Sequence, residues 1–219
     1  MNWKSFAVIS ILSIFLLASL TLQGFAAKEI RIRGGHADDF KDSKGRVWSG
    51  AQKEYKKDDW GGWVGKLPQT AEVATLTDAA KTKAKNAGYD EALFYAVSWA
   101  AFPDTVKFDI NTGSGAFDVT YLVGEHWSPN NRGFDIFIEG ENVLPLYVTP
   151  GSNEIDIKTF AGMKVSDGVM SFNFAGNAET KAGDLNAMFS ALEIISSTTP
   201  AVQPGGKLTG TWATIKVGK

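Results

Sequence analysis

The sequence predicts an all-β chain folded as an antiparallel β-sandwich of jelly-roll type, with one short surface helix. Three observations carry that prediction. Short runs of alternating apolar and polar residues recur along the chain, the period of half-buried strands. Turn chemistry punctuates them, with Gly 23 among the 219 residues. Only one stretch has helical composition. Apolar content of 44% and charged content of 21% suit a domain that buries a real core. A chain of 219 residues is one domain with short appendages.

The chain opens with a leader. Lys4 gives a small positive n-region, Phe6 to Leu22 is an almost unbroken apolar run, and Gly24-Phe25-Ala26 fits the small-x-small cleavage rule. Residues 1–26 therefore read as a secretory signal peptide, cut after Ala26 or, next best, after Ala27. A retained membrane anchor is the rival reading, but the run is short for a spanning helix and small residues follow it. Cleavage implies a secreted or periplasmic protein with no membrane span after signal removal. The chain has no cysteine, so neither lipid attachment through a thiol nor a disulfide framework is open to it.

The folded domain is expected over residues 27–195. Glu29 to Gly34 alternates and makes a first strand, ended by Gly34-Gly35, where paired glycines allow positive φ. Asp42-Ser43-Lys44-Gly45 is a turn before Arg46-Val47-Trp48. Lys53 to Trp63 is polar, glycine-bearing and aromatic, which suits a loop. The alanine- and lysine-rich stretch from Thr77 to Ala87 is the helix, with Thr77 or Asp78 able to cap it and Gly88 able to stop it. Ala92 to Trp99 and Thr105 to Ile110 return to strand character. Phe117 to Gly140 reads as two alternating strands paired across an exposed loop, the stretch around which the rest is arranged. Leu144 to Thr149, Ile155 to Lys158 and Met163 to Val165 follow, and Asp167-Gly168 is a hairpin signal into Val169 to Phe174. Gly176 to Asp184 is a polar loop, and Met188 to Ile195 is the last strand. Residues 196–206, SSTTPAVQPGG, have linker chemistry. Residues 207–219 form a tail with a small alternating patch, either a further strand or an attachment segment.

Composition narrows the function. A net charge of −2 gives no footprint for nucleic acid. His36 and His126 lack partners at metal-ligand spacing, so no metal is expected. Asp38, Asp39 and Asp42 lack the dense acid pattern of a calcium loop and read as a solvated turn. No cofactor is implied. With no cysteine and no serine set in a nucleophile turn, acyl transfer has no visible machinery. What remains is the loop from Glu125 to Gly133, which carries a tryptophan, an acid, an amide pair and an arginine. A pyranose has an apolar C–H face that suits an indole and a hydroxyl rim that suits acids and amides. Trp60 and Trp127 sit in polar, glycine-bearing loops and favour a binding role. Trp48 and Trp63 read as core or loop-packing residues, while Trp99 and Tyr95 fit either description.

Four stretches together resemble a malectin-type domain, a sugar-binding β-sandwich. Ile30 to Gly35 with Asp42-Ser43-Lys44-Gly45-Arg46-Val47-Trp48 resembles the family's opening strand, glycine pair and D-x-x-G-x-x-W turn. Tyr121 to Trp127 resembles its strand ending in an acid and aromatics, and Arg132-Gly133-Phe134-Asp135-Ile136 its R-x-F-D-V strand. Asn186 to Ile194 resembles its final N-A-x-I-S-A-I-E-I strand. The resemblance runs from about Glu29 to Ile195.

The resemblance implies non-catalytic binding of glucose-containing oligosaccharide or polysaccharide in a cleft at one end of the sandwich. Its aromatic positions fall on Trp60, on Phe94 or Tyr95, on Trp99 and on Trp127, with Glu125 as the acid after the strand. The family's acid before the last strand falls on Leu185, which leaves Asp184, one residue early, as the candidate. The expected carbohydrate-binding set is therefore Trp60, Tyr95, Trp99, Glu125, Trp127 and Asp184. Two other readings compete. A glycoside hydrolase would need Glu125 and Asp184 to face one another across the scissile bond. A structural or adhesive surface protein would use the C-terminal segment as its attachment point.

Overall fold

The computed structural model describes residues 28–73 and 75–197. The leader, the tail and linker residues 198–206 lie outside the described residues. In chain order the strands are β1 (Glu29–Arg33), β2 (Phe40–Lys41), β3 (Val47–Gly50), β4 (Gly61–Trp63) and β5 (Gln69–Glu72). The helix α1 (Asp78–Ala87) and a 3₁₀ turn (Glu91–Phe94) intervene before β6 (Ala96–Trp99), β7 (Val106–Ile110), β8 (Gly115–Glu125) and β9 (Gly133–Ile138). Then come β10 (Glu141–Val148), β11 (Glu154–Val165), β12 (Met170–Gly176), β13 (Met188–Phe189) and β14 (Ala191–Ser196). Among the described residues no helix is long and apolar enough to cross a membrane.

The strands form three mostly antiparallel sheets. The largest has the order β11-β8-β14-β1-β3-β2, a second runs β10-β9-β12-β7-β4, and a small third is β13-β6-β5. The main core lies where alternating residues of the two large sheets meet. Phe117, Val119, Tyr121 and Val123 of β8 and Leu192 and Ile194 of β14 meet Phe134, Ile136 and Ile138 of β9 with Phe172 and Phe174 of β12. Each fully buried side chain of this size contributes roughly 1.5–3 kcal/mol. A second cluster, with Trp48, Leu76, Leu93, Phe94, Leu122 and Ile155, lies on the other side of the six-stranded sheet. Helix α1 covers it with Ala80 and Ala84.

The helix has the ends its sequence predicts. Thr77 Oγ1 accepts the Ala80 N–H, and Gly88 stops the helix at φ 81°, where its N–H reaches the Ala84 and Lys85 carbonyls. Gly34, by contrast, is needed for space: a Cβ there would meet the Phe189 carbonyl oxygen at 2.6 Å.

Several pairings differ from expectation. β8 and β9 are not partners: β8 pairs with β11 and β14, and β9 with β10 and β12. Their alternation reports only that each buries one face, and each buries it from an opposite sheet. The loop between them therefore crosses the end of the sandwich. Asp167-Gly168 likewise makes no hairpin, because β11 and β12 belong to different sheets. The tight hairpin is β9–β10, whose Glu139 and Gly140 take φ 53° and 76°, the type I′ signature. Lys53 to Trp63 holds the short strand β4, and Ala92 to Phe94 is 3₁₀ rather than strand. Met188 to Ile195 is two strands, broken at Ser190, whose N–H donates to the Leu122 carbonyl and whose hydroxyl accepts the Gly124 N–H. Met188 and Phe189 join the small sheet, and Ala191 onward joins the large one. At the far end β1 and β14 finish side by side, with the Lys28 N–H on Ser196 Oγ at 2.9 Å.

Candidate functional site

A cleft of about 270 Å³ opens at the end of the sandwich where the β8–β9 loop crosses between sheets. That is just under the ~300–1,000 Å³ of most small-molecule sites. Its walls are chiefly apolar: Ala71, Val97, Trp99 and Met188 from the small sheet, with Trp127 from the loop. Arg132, Asp184 and Asn186 supply the polar groups. The sequence places these residues here through register. Ala71 pairs with Val97 and Trp99 with Met188, so period-two alternation brings all four onto one sheet face. Tyr121 anchors that sheet from below, its buried hydroxyl donating to the Met188 carbonyl at 3.0 Å.

Glu125 organises the loop. Its side chain is 0% exposed. Oε1 accepts the N–H groups of Trp127 and Ser128 at 2.8 and 2.9 Å, and Oε2 accepts Arg132 Nε at 3.0 Å and Thr149 Oγ1 at 2.7 Å. Burial alone would raise this carboxyl. The Ser128 N–H, the Arg132 charge, the Thr149 hydroxyl and the Trp127 N–H outweigh burial and hold it below its ordinary value. Arg132 spends its other nitrogens on the opposite wall, with Nη1 donating to the Asn186 carbonyl at 2.9 Å and Nη2 pairing with Asp184 Oδ2 at 3.0 Å. Asp184 Oδ1 accepts the Asn186 N–H at 2.8 Å. An Arg132–Asp184 bridge and the Asp184 N–H on the Asn131 carbonyl complete the seam.

The indole of Trp127 is thus held by its backbone while its side chain stays out, 40% exposed. It packs edge-on against His126, ring centroids 5.1 Å apart. His126 is itself pinned between Asn153 Oδ1 and the Phe94 carbonyl.

Of the expected residues, the structure brings Trp99, Trp127 and Asp184 together at the cleft, with Glu125 directly beneath. Trp60 and Tyr95 lie elsewhere. Trp60 packs on the main core and stacks over Phe108 at 6.5 Å. Tyr95 packs beside Phe94 on the second cluster. Trp48 is core, at 0% exposure, and Trp63 packs partly buried against the main core. Asn186 escaped the sequence reading of the site, and Arg132 entered it only as the loop's arginine, outside the expected set. The signal was available: both stand in the motif stretches, one opening a strand and one following the acid. Among the described residues no group of three or more His, Cys, Asp or Glu could hold a metal ion.

No protein-family model and no curated protein matches the chain. Solved structures do match. The ANXUR2 extracellular domain from Arabidopsis thaliana superposes with a TM-score of 0.65 at 14% identity, over 82% of this chain and 53% of that one. The plant receptor-like kinase ANX2 gives 0.64 at 16% identity, over 82% and 52%. Bacteroides uniformis β-glucuronidase gives 0.56 at 13% identity, over 76% of this chain but 18% of that enzyme. The likeness is one of fold. This chain spans about half the length of the plant structures and under a fifth of the glucuronidase.

Proposed function

We propose that the chain is an exported, non-catalytic carbohydrate-binding module of malectin type, holding glucose-containing oligosaccharide or polysaccharide in the cleft between Trp99 and Trp127. The observation that carries the reading is the cleft itself. Two indoles supply apolar faces for a sugar ring, and Asp184, Asn186 and Arg132 supply polar groups for its hydroxyls. That the plant neighbours are extracellular domains fits export.

Glu125 supports the non-catalytic side of the reading. A hydrolase needs two carboxylates that reach the scissile bond. Glu125 is enclosed and spends its oxygens on four donors. Its work is to shape the loop, and Asp184 is the carboxylate left at the cleft wall.

A glycan array followed by calorimetric titration tests this. Affinity should be modest, on the order of 10 μM to 1 mM, because a small polar ligand gives up well-made hydrogen bonds to water. Trp127→Ala and Trp99→Ala should each weaken binding by about one to two decades, the worth of roughly 1–3 kcal/mol of ring stacking. Asp184→Asn should weaken it less. Normal binding by both tryptophan variants would move the site elsewhere. Glycan turnover that disappears with Asp184→Asn would make the protein an enzyme.

A further inference from the structure

We propose that this chain has a second glycan site, a shallow trough on the outer face of the five-stranded sheet, where Phe137 and Asn173 take an uncharged sugar. The site goes beyond the cleft and shares with it only the class of ligand.

The trough has a volume of about 360 Å³, within the ~300–1,000 Å³ of most small-molecule sites. Phe137, Asn173, Ser171, Lys107 and Asp109 line it, and no residue lines both this trough and the cleft. Strand alternation builds its floor. Ile136 and Ile138 of β9, Phe172 and Phe174 of β12, and Phe108 and Ile110 of β7 belong to the main core. The residues between them therefore face outward. Phe137 stands directly opposite Asn173, and Asn173 directly opposite Lys107. Ser171 faces Asp109 in the neighbouring row.

Two residues of this floor have no role in holding the fold. Phe137 is only partly exposed, yet it packs with neither core cluster. A ring placed this way offers its face to a ligand. Asn173 Oδ1 is buried and has no hydrogen-bond partner among the described residues. An acceptor left so is costly, and a ligand hydroxyl would satisfy it. Lys107, exposed on a flexible stem across the ladder, is the neighbour free to swing aside and admit that donor.

The lining chemistry selects a sugar. The floor strands spend their backbone groups on the ladders of β12 with β7 and β9, so an extended peptide finds no edge to join. Lys107 and Asp109 face the trough two residues apart and form no ion pair, so their opposite charges cancel over a ligand. Glu139, whose Oε1 accepts the Ser171 N–H, adds a negative charge beside them and turns away anionic polymers. What remains is one aromatic face with an amide and a hydroxyl around it. That set matches the C–H face and hydroxyl rim of an uncharged sugar.

Amide NMR of the ¹⁵N-labelled chain, titrated with α- and β-linked glucotetraose, tests the proposal. Two separate sets of amides should move, one around Trp99 and Trp127 and one around Phe137, Ser171 and Asn173. Phe137→Ala should weaken the second response about tenfold, the worth of one stacking contact, and leave the first untouched. Asn173→Ala should weaken it comparably without lowering the melting temperature, because the oxygen has no partner to lose. Trp127→Ala should do the reverse, weakening the cleft response alone. Movement at the cleft with a silent trough overturns the second site while leaving the cleft intact. Trough shifts undiminished in both Phe137→Ala and Asn173→Ala overturn it as well. A response at the trough alone upholds the second site and removes the cleft as a glycan site. Silence of both sets with both sugars overturns the two together.

Discussion

Two buried carboxylates in this protein are wired almost identically, yet one closes a core and the other shapes a cleft. Asp42 accepts the Lys44 and Arg46 N–H groups, Arg46 Nε and Trp48 Nε1. Glu125 accepts the Trp127 and Ser128 N–H groups, Arg132 Nε and Thr149 Oγ1. Each gathers a turn around one arginine and sets a tryptophan nearby. The difference lies in what stands opposite. Arg46 continues to the Gly88 carbonyl at the end of α1 and to Glu193, with the Trp48 and Tyr89 rings beneath its guanidinium. Arg132 continues to Asp184 and the Asn186 carbonyl at an open cleft. The hub is thus a way of fixing a turn, and function depends on whether another element covers it.

The largest effect that would break this comparison is on the tryptophans. Trp48→Ala should destabilise by about 3–5 kcal/mol, the usual cost of emptying a large aromatic site. Trp127→Ala should leave the thermal melt near wild type and lose binding instead. Equal melting losses in the two variants would mean that the loop indole is core.

Next come the hubs themselves. Removing one member of a buried charged pair strands the other, and Asp42→Ala and Glu125→Ala should each cost about 3 kcal/mol. Only Glu125→Ala should also weaken binding, since only its turn carries the cleft. Both carboxyls are held below their ordinary values of 3.8 and 4.5, despite burial, by the donors around them. As pH falls through that range the unfolded chain takes up protons that the folded chain refuses, so their stabilisation is present above about pH 4.5 and lost below it. The melting temperature should fall between about pH 5 and 3. Glu125→Gln should flatten that slope in a pH series, and a slope unchanged in this variant would remove Glu125 from the account.

The smallest effect concerns the cover. Thr77→Ala removes the α1 cap and should cost about 1 kcal/mol in a denaturant titration. It should change glycan affinity far less than Trp127→Ala, although Thr77 also donates to Glu154 Oε1 and to the Asn153 carbonyl beside the Glu125 turn. Binding weakened as much as in Trp127→Ala would couple the two regions.

Much of this was legible in the sequence, for physical reasons that also mark the limit. The helix and its two caps were plain, because capping is local chemistry between residues three or four apart. Trp127 read as an exposed loop residue from the polar stretch around it, and it stands 40% exposed at the cleft. Trp60 misled for the same reason: Phe108, distant in sequence, provides the surface it stacks on. The way Glu125 ties its loop was hidden, since a carboxylate that binds a ligand and one that ties a loop look alike in sequence. Arg132 met Asp184 only through the bridge between the β8–β9 loop and the segment before β13. The pairing of β8 with β11 and β14 was equally invisible, because a period of two tells which face is buried and not which neighbour is bonded.

The joining of β1 to β14 by Lys28 and Ser196 has a consequence for how the module is mounted. Both strands run from that junction toward Gly34 and Ser190, so Lys28 and Ser196 sit at the end of the large sheet opposite the cleft. Any covalent tether joined before Lys28 or after Ser197 leaves from a single spot at the back. A host surface or a neighbouring domain attached there would hold the cleft pointing away from itself.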